Sequence, residues 1–172
     1  VRVQKIAVAA VGGTNARFAI AEIDGGQVVA LDDPVTLKTS EHGSFQLAWK
    51  EFGRRAGIEL PDSLAIAFAG PVGGEVLKLT NNPWVIRPAL IKERLDVDHY
   101  TIVNDFGAVA YAVAILGDEH FRHLCGPDGR LPEEGVTSIV GPGTGLGVAS
   151  LLRRTGGYEV ISTEGGHIDF AP

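Results

Sequence analysis

The sequence predicts an α/β protein in which helices pack against a mixed β-sheet. Two observations lead to this fold class. Residues 5–31 contain three strand-like segments joined by tight turns, which is the pattern of an antiparallel meander. From residue 44 onward, amphipathic helical segments alternate with short apolar strands. A meander followed by alternating helices and strands predicts one mixed sheet with helices packed on it.

The predicted meander consists of strands at residues 5–11, 17–23 and 27–31. The first turn is the sequence Gly-Gly-Thr-Asn at residues 12–15, and the second is Asp-Gly-Gly at residues 24–26. Glycine favours such turns because it adopts positive φ angles without a steric penalty.

The alternating part of the chain begins with a helix that Ser44 is predicted to cap and Gly57 to end. Residues 63–69 follow as an apolar strand of the kind that is buried on both faces. Pro88 then opens a short helix, since proline is favoured in the first helical turn. A further buried strand is predicted at residues 100–103.

A domain boundary is predicted after the alanine-rich helix at residues 106–116, because residues 117–135 are polar and loop-like. The interpretation is a small α/β domain at 1–116 and the beginning of a second domain at 117–172. Three further strands are predicted, at residues 136–140, 146–152 and 158–162. The sequence stops shortly after "EGGHIDF", which indicates the front portion of a longer protein.

Composition argues against several classes of partner. The 172 residues include 15 basic and 21 acidic side chains, giving a net charge of -6, and no basic run suits a nucleic acid. The longest uncharged apolar segment, residues 106–117, is shorter than the roughly 20 residues that a membrane helix needs. A single cysteine, Cys125, cannot form an internal disulfide, and the first residues do not resemble a signal peptide. We therefore expect a cytoplasmic enzyme or binding protein.

Two glycine-rich loops, "VGGTNAR" and "GPGTGLG", each follow a predicted buried strand and contain a threonine. Each alone is typical of a hairpin turn, but together they suit the two ends of a polyphosphate, whose oxygens accept backbone N–H donors. Neither loop is a Walker A sequence, and Leu146 stands where a dinucleotide fingerprint needs glycine. The candidate phosphate-binding residues are Gly12, Gly13, Thr14, Asn15, Gly141, Gly143, Thr144 and Gly145.

Three polar side chains are candidates for the chemistry. Asp105 follows a predicted strand, where a carboxylate can accept a proton from a substrate hydroxyl, although taken alone it is more typical of a helix cap. Glu164 and His167 flank a Gly-Gly pair and can hydrogen-bond vicinal hydroxyls of a sugar, although a lone histidine is more often structural. The cluster around His120 reads as solvated surface, so no metal-ligating residue is predicted.

Five segments occur here in the order and spacing found in bacterial glucokinases of the hexokinase superfamily: "VGGTNARFAI", "AGPVGGEVLKLTNNPWVI", "IVNDFGAVAYA", "GPGTGLGVA" and "EGGHIDFAP". This resemblance covers nearly the whole chain. It implies a two-domain, ribonuclease-H-like (actin-like ATPase) fold and transfer of the ATP γ-phosphoryl group to the 6-hydroxyl of glucose, with magnesium.

The resemblance also assigns roles to residues. It implies that Asp105 is the general base and contacts the sugar together with Asn104, Glu164 and His167, with Asn81 as a weaker candidate. Both glycine loops would face the phosphates of ATP. Whether the chain forms a homodimer is left open by the sequence.

The chain departs from the family pattern at two points. Ala10 stands where the family has an aspartate, and family members run to about twice the domain size. The first departure leaves an alternative open, a non-catalytic sugar-binding or regulatory relative that has lost its magnesium anchor at position 10. A generic nucleotide binder unrelated to sugars is a third interpretation. Asp105 favours an enzyme, although the 172 residues alone are expected to be a poor catalyst, since kinase clefts close between two domains.

Overall fold

A mixed sheet forms the centre of the first of two compact units, 1–105 and 106–172, into which this computed structural model divides. The structure describes residues 3–79, 82–127, 129–143 and 145–168. In chain order, the regular elements described in unit 1 are β1 (Gln4–Val11), β2 (Asn15–Asp24), β3 (Gln27–Leu31), β4 (Val35–Lys38), α1 (Phe45–Ala56), β5 (Ser63–Phe68), β6 (Leu77–Lys78), β7 (Val85–Ile86), α2 (Ile91–Leu95) and β8 (His99–Asn104). The predicted elements of this part are confirmed to within two residues, apart from the helix at Pro88, whose first three residues form a 3₁₀ turn.

The strand order of the central sheet is β3-β2-β1-β5-β8. β1 is antiparallel to β2, whereas β1 and β5, and β5 and β8, are parallel pairs. The sheet is therefore mixed, as predicted. β4 pairs with the first part of β2, from Asn15 to Phe18, and β3 pairs with its last part, so the two short strands share one side of β2.

Helix α1 is defined by its caps and by one aromatic face. The Ser44 hydroxyl accepts the Leu47 N–H at 3.2 Å, and Gly57 ends the helix in the left-handed conformation at φ 64°, as predicted. The face packs on Phe18 of β2, whose ring centroid lies 5.3 to 6.3 Å from the rings of Phe45, Trp49 and Phe52. Such aromatic pairs stabilise a core by about 0.5–1.5 kcal/mol each beyond the area that they bury.

The exposed side of α1 carries an ion-pair cluster, and this cluster should make the folding stability of the protein depend on pH. Glu51 accepts hydrogen bonds from Arg54 and Arg55 at 2.7 to 2.8 Å, and these bonds lower its pKa from 4.5 to about 2. A lowered folded-state pKa contributes stability that is fully present above the unfolded value and is lost as the pH falls toward the folded value. The contribution of Glu51 is therefore lost between about pH 4.5 and pH 2.

We expect Glu51→Gln to remove this part of the pH dependence. Urea unfolding at several pH values between 5 and 2.5 should show the unfolding midpoint of the unaltered protein falling more steeply than that of the variant. Glu59→Gln is the matched control, because Glu59 is exposed and forms no ion pair among the described residues. Parallel curves for Glu51→Gln and the unaltered protein would contradict the role of this cluster.

Unit 2 combines one helix with an antiparallel sheet. The helix α3 (Asp105–Ile115) begins at the last residue of unit 1, and the described strands are β9 (Gly135–Pro142), β10 (Leu146–Arg154) and β11 (Gly157–Thr163), in the order β11-β10-β9. Its buried core contains Ala110, Ile139, Ala149 and Leu151. The Arg153 guanidinium donates to the carbonyls of Val113 and Ala114, which satisfies free acceptors at the end of α3.

The compact units divide after Asp105, the first residue of α3, whereas the sequence interpretation places the boundary after this helix, at 116/117. The reason is that α3 shares a core with β9 and β10. The domain limits of the complete protein remain a prediction. Within the described ranges, no helix is long and apolar enough to cross a membrane.

Candidate active site

The carboxyl ends of three neighbouring strands meet at one edge of the sheet in unit 1. Val11 at the end of β1 is paired with Phe68 of β5, and Phe68 is paired with Asn104 of β8. The first glycine loop, the Ala69-Gly70 segment and Asp105 therefore all begin at the same edge. In α/β sheets, ligands bind outside the carboxyl ends of the strands.

A cleft of about 290 Å³ opens at this edge. It is lined by Ala10, Val11, Gly12, Gly13, Thr14, Asn15, Arg17, Ala67, Ala69 and Asp105. The structure thus brings together the four predicted residues of the first loop and the predicted general base, which are far apart in the sequence.

The first loop is held by hydrogen bonds to its carbonyls. Gly12 donates its N–H to the Asn15 carbonyl at 3.0 Å, which closes the turn. The Gly13 carbonyl accepts from the Thr39 hydroxyl at 2.7 Å and from the Asn82 amide at 3.1 Å. In contrast, no described residue accepts a hydrogen bond from the N–H of Gly13 or Thr14. The loop therefore offers two amide donors for an anion such as a phosphate.

Two residues that hold this loop were missed by the sequence interpretation. Thr39 follows β4, which the sequence did not predict, and its side chain is buried. Asn82 lies in the "LTNNPW" segment, beside the predicted sugar-binding Asn81, and also accepts the Trp84 N–H at 2.8 Å. Asn81 itself lies outside the described residues. The "LTNNPW" segment could have marked Asn82 as a candidate, because it lies next to Asn81. Nothing in the sequence shows that its hydrogen-bond partner is Gly13.

Asn104 and Asp105 stand where β8 becomes α3. Asn104 is buried and donates its side-chain amide to the Gly70 carbonyl at 3.3 Å, so it also supports the segment after β5. Asp105 is the first residue of α3 and half-buried at the cleft. The capping position before the helix falls to Asn104, while a carboxylate in the first turn is favoured by the helix dipole.

The second glycine loop is a β-hairpin turn between β9 and β10. Gly141 and Gly147 are directly opposite each other, and Gly143 donates its N–H to the Gly145 carbonyl at 2.8 Å. A Cβ atom on either Gly141 or Gly147 would overlap the ring of Phe106. These two glycines thus make room for an aromatic side chain, and phosphate binding by Gly141, Gly143 and Gly145 remains a prediction. Thr144 lies outside the described residues.

The predicted sugar-binding pair lies beside this hairpin. Glu164 precedes a short 3₁₀ turn, and its carboxylate Oε2 lies 3.4 Å from Nε2 of His167, with both side chains more than half exposed. A Cβ on Gly166 would overlap the Leu146 carbonyl oxygen, so the turn packs directly on the start of β10. The predicted residues thus form two groups, the first loop with Asn104 and Asp105 in unit 1, and the second loop with Glu164 and His167 in unit 2.

The residues at the cleft do not fit a magnesium ion held by protein carboxylates. Among the described residues that line the cleft, Asp105 is the one carboxylate. Ala10 has only a methyl group where the family pattern has an aspartate, so its side chain offers no oxygen to a metal ion. In its strand pairs, Ala10 lies directly opposite Arg17 on one side and Ala67 on the other. The described residues also contain no group of three or more His, Cys, Asp or Glu side chains that could hold a metal ion.

The mixed sheet and its cleft place the chain among α/β proteins that bind ligands at the carboxyl ends of parallel strands. The sequence profile of the family described as Glucokinase matches residues 7–172. The chain belongs to the glucokinase family.

Similar proteins agree with this assignment. The chain is 61% identical over 162 residues to a glucokinase from Zymomonas mobilis subsp. mobilis, covering 94% of this chain and 50% of that protein. The crystal structure of a glucokinase from an Antarctic psychrotroph superposes with a TM-score of 0.82 at 31% identity, over 99% of this chain and 53% of that chain. A glucokinase from Balamuthia mandrillaris, solved in complex with glucose, shares the fold, with a TM-score of 0.69 at 21% identity, over 99% of this chain and 50% of that chain.

These similarities confirm the predicted ribonuclease-H-like (actin-like ATPase) fold class and the predicted resemblance. The chain spans about half the length of the curated relatives that it matches.

Proposed function

We propose that the complete protein containing this chain transfers the γ-phosphoryl group of ATP to the 6-hydroxyl of glucose. The observation that carries this proposal is the cleft of unit 1, in which the open N–H groups of Gly13 and Thr14 share one space with the Asp105 carboxylate. The two features match the two needs of a kinase, a grip on phosphate oxygens and an acceptor for the hydroxyl proton.

The proposed roles follow from this chemistry. Asp105 accepts the proton of the attacking hydroxyl. The phosphates are bound by the first loop and by the predicted residues of the second loop, Gly141, Gly143, Thr144 and Gly145. Charged and amide side chains hold the remaining sugar hydroxyls by hydrogen bonds, which supports Asn104, Glu164 and His167 as sugar ligands, with Asn81 as a weaker candidate. The exposed Glu164–His167 pair offers an acceptor and a ring nitrogen at a separation that suits neighbouring hydroxyls.

We propose that the phosphoryl donor is ATP presented as its magnesium complex. The metal is then carried by the phosphates of the nucleotide, which agrees with magnesium's tendency to bind through few protein carboxylates. The cytoplasmic location predicted from the sequence remains a prediction. A homodimer is also a prediction, supported by the exposed Val28, Val29 and Leu31 on the edge strand β3.

The test of this function is a coupled assay of ADP release by the complete protein with magnesium ATP, in the presence and absence of glucose. We expect release that depends on glucose. The similarity does not favour the alternative of a non-catalytic relative, and Ala10 is the observation that still supports it. Glucose binding without ADP release would establish that alternative, and nucleotide binding unaffected by glucose would indicate a nucleotide binder unrelated to sugars.

We expect Glu164→Ala to weaken glucose binding more than ATP binding. The carboxylate is proposed to contact sugar hydroxyls, and a hydrogen bond to a charged group contributes roughly 1.5–3 kcal/mol. Calorimetric titration of the complete protein with each ligand measures the two losses separately.

Glu159→Ala is the matched control for this titration. Glu159 belongs to the neighbouring strand β11, is exposed, and pairs with Arg154 at 3.6 Å away from the 3₁₀ turn. Its replacement should leave both affinities unchanged. Equal losses for glucose and ATP in Glu164→Ala would show that the carboxylate has no specific role toward the sugar.

A further inference from the structure

The ring of Phe106 occupies a seat formed by two glycines of the second loop. Gly141 and Gly147 are cross-strand partners in β9 and β10, and a Cβ on either one would overlap the ring. A Cβ on Gly147 would overlap three atoms of the ring, so the ring as a whole would have to move to make room for it. The fit between ring and hairpin is therefore specific to glycine at both positions.

The seat extends the small core of unit 2. Gly147, Ala149 and Leu151 alternate along β10 and so point to the same face of the sheet, as do Gly141 and Ile139 on β9. Ala149, Leu151 and Ile139 are buried in this core, against which Phe106 packs. A facing pair of glycines weakens a hairpin unless another group fills the space, and an aromatic ring lying across the pair does so.

The position of Phe106 gives this packing a consequence for the reaction. Phe106 lies in the first turn of α3, directly after Asp105, and a helix rotates by about 100° from one residue to the next. Fixing the ring of Phe106 therefore restrains the backbone of the first turn of α3, from which the Asp105 side chain leaves. Asp105 lines the cleft and is the proposed proton acceptor.

We propose that Phe106 is a positioning residue for glucose phosphorylation: its ring, seated on Gly141 and Gly147, holds the first turn of α3 and thereby the Asp105 carboxylate. The proposal rests on the proposed function. It also gives Gly141 and Gly147 a packing role that is distinct from phosphate binding. A general base displaced by about 1 Å can lose on the order of 10²-fold in rate, so a seat of this kind affects kcat more than substrate affinity.

The test uses the complete protein with Phe106→Ala, Gly147→Ala and the double variant. We expect each single variant to lower the melting temperature. Phe106→Ala leaves the space over the two glycines empty, and Gly147→Ala places a methyl group where the ring of Phe106 lies. In the double variant the methyl group occupies the vacated space, so its melting temperature should exceed that of Gly147→Ala. The kcat of both variants that lack the ring should fall at least tenfold, with the KM for glucose changed by less than about threefold.

Two controls separate positioning from general stability. Phe106→Tyr keeps the ring and should retain kcat, and Val109→Ala changes an exposed side chain of the same helix and should behave like the unaltered protein. A double variant that regains kcat along with its melting temperature would overturn the positioning role. If the losses in melting temperature of Phe106→Ala and Gly147→Ala simply add in the double variant, the proposed packing of the ring on Gly147 would be wrong. Absence of glucose-dependent ADP release from the unaltered protein would instead refute the proposed function.

Discussion

Replacing Asp105 with asparagine is expected to lower the turnover of glucose phosphorylation by ~10²–10⁴, the usual effect of losing a general base. Glucose affinity should stay within about tenfold, because the amide has nearly the same size as the carboxylate and still hydrogen-bonds. Asp105 lies half-buried in the cleft beside the first glycine loop, so the substitution acts where the hydroxyl and the phosphate are proposed to meet. Steady-state rates and glucose titrations of the complete protein measure both quantities.

The control for this substitution is Asp33→Asn. Asp33 is an exposed carboxylate of unit 1 in the segment between β3 and β4, outside the residues that line the cleft. It should turn over glucose at the unaltered rate. Turnover close to normal in Asp105→Asn would exclude Asp105 as the base, whereas a large loss of glucose affinity with normal turnover would make it a sugar ligand only.

Restoring a carboxylate at position 10 is expected to raise turnover at least tenfold, which corresponds to about 1.4 kcal/mol of barrier. Position 10 lies at the cleft, directly opposite Arg17 and Ala67. An aspartate there supplies the kind of oxygen that magnesium prefers, so the magnesium concentration for half-maximal rate should also fall. Because Ala10 is exposed, the new carboxylate stays hydrated and the fold should lose little stability.

The measurement is the rate as a function of magnesium concentration for the unaltered protein, Ala10→Asp and Ala10→Asn. The asparagine variant matches the size of aspartate but not its charge, and should follow the unaltered curve. Overlapping curves for all three proteins would mean that position 10 takes no part in metal binding. A gain that asparagine reproduces would indicate a packing effect instead of a metal ligand.

The parts of the fold that could be predicted are those that local chemistry determines. The turns of the meander, the Ser44 cap and the Gly57 end of α1 each depend on residues within a few positions of one another. Strand β4 was missed because it is short and is defined by pairing with Asn15–Phe18 of β2, at a distance in sequence. The strand propensity of a short segment does not indicate which distant strand it pairs with.

The candidate site shows the same limit at the level of single residues. Asp105 and the first loop could be predicted as candidates because a carboxylate after a strand and a glycine turn are visible in the sequence, and both line the same cleft. What a glycine makes room for is not visible in the sequence: phosphate binding by Gly141 stays a prediction, and nothing in the sequence indicated that Gly141 and Gly147 leave space for the ring of Phe106. A missing side chain leaves room equally well for a ligand or for a neighbouring residue.

The double hydrogen bond to the Gly13 carbonyl determines how freely the first loop moves. Thr39 and Asn82 donate to this carbonyl from separate segments of the chain. If one of the two hydrogen bonds breaks, the other still holds the carbonyl in place. The glycines therefore leave the backbone N–H groups of the loop accessible to a ligand, while two residues outside the loop restrict its motion. A loop ordered in advance loses little conformational entropy on binding, so more of the interaction energy with the proposed phosphate is retained as affinity.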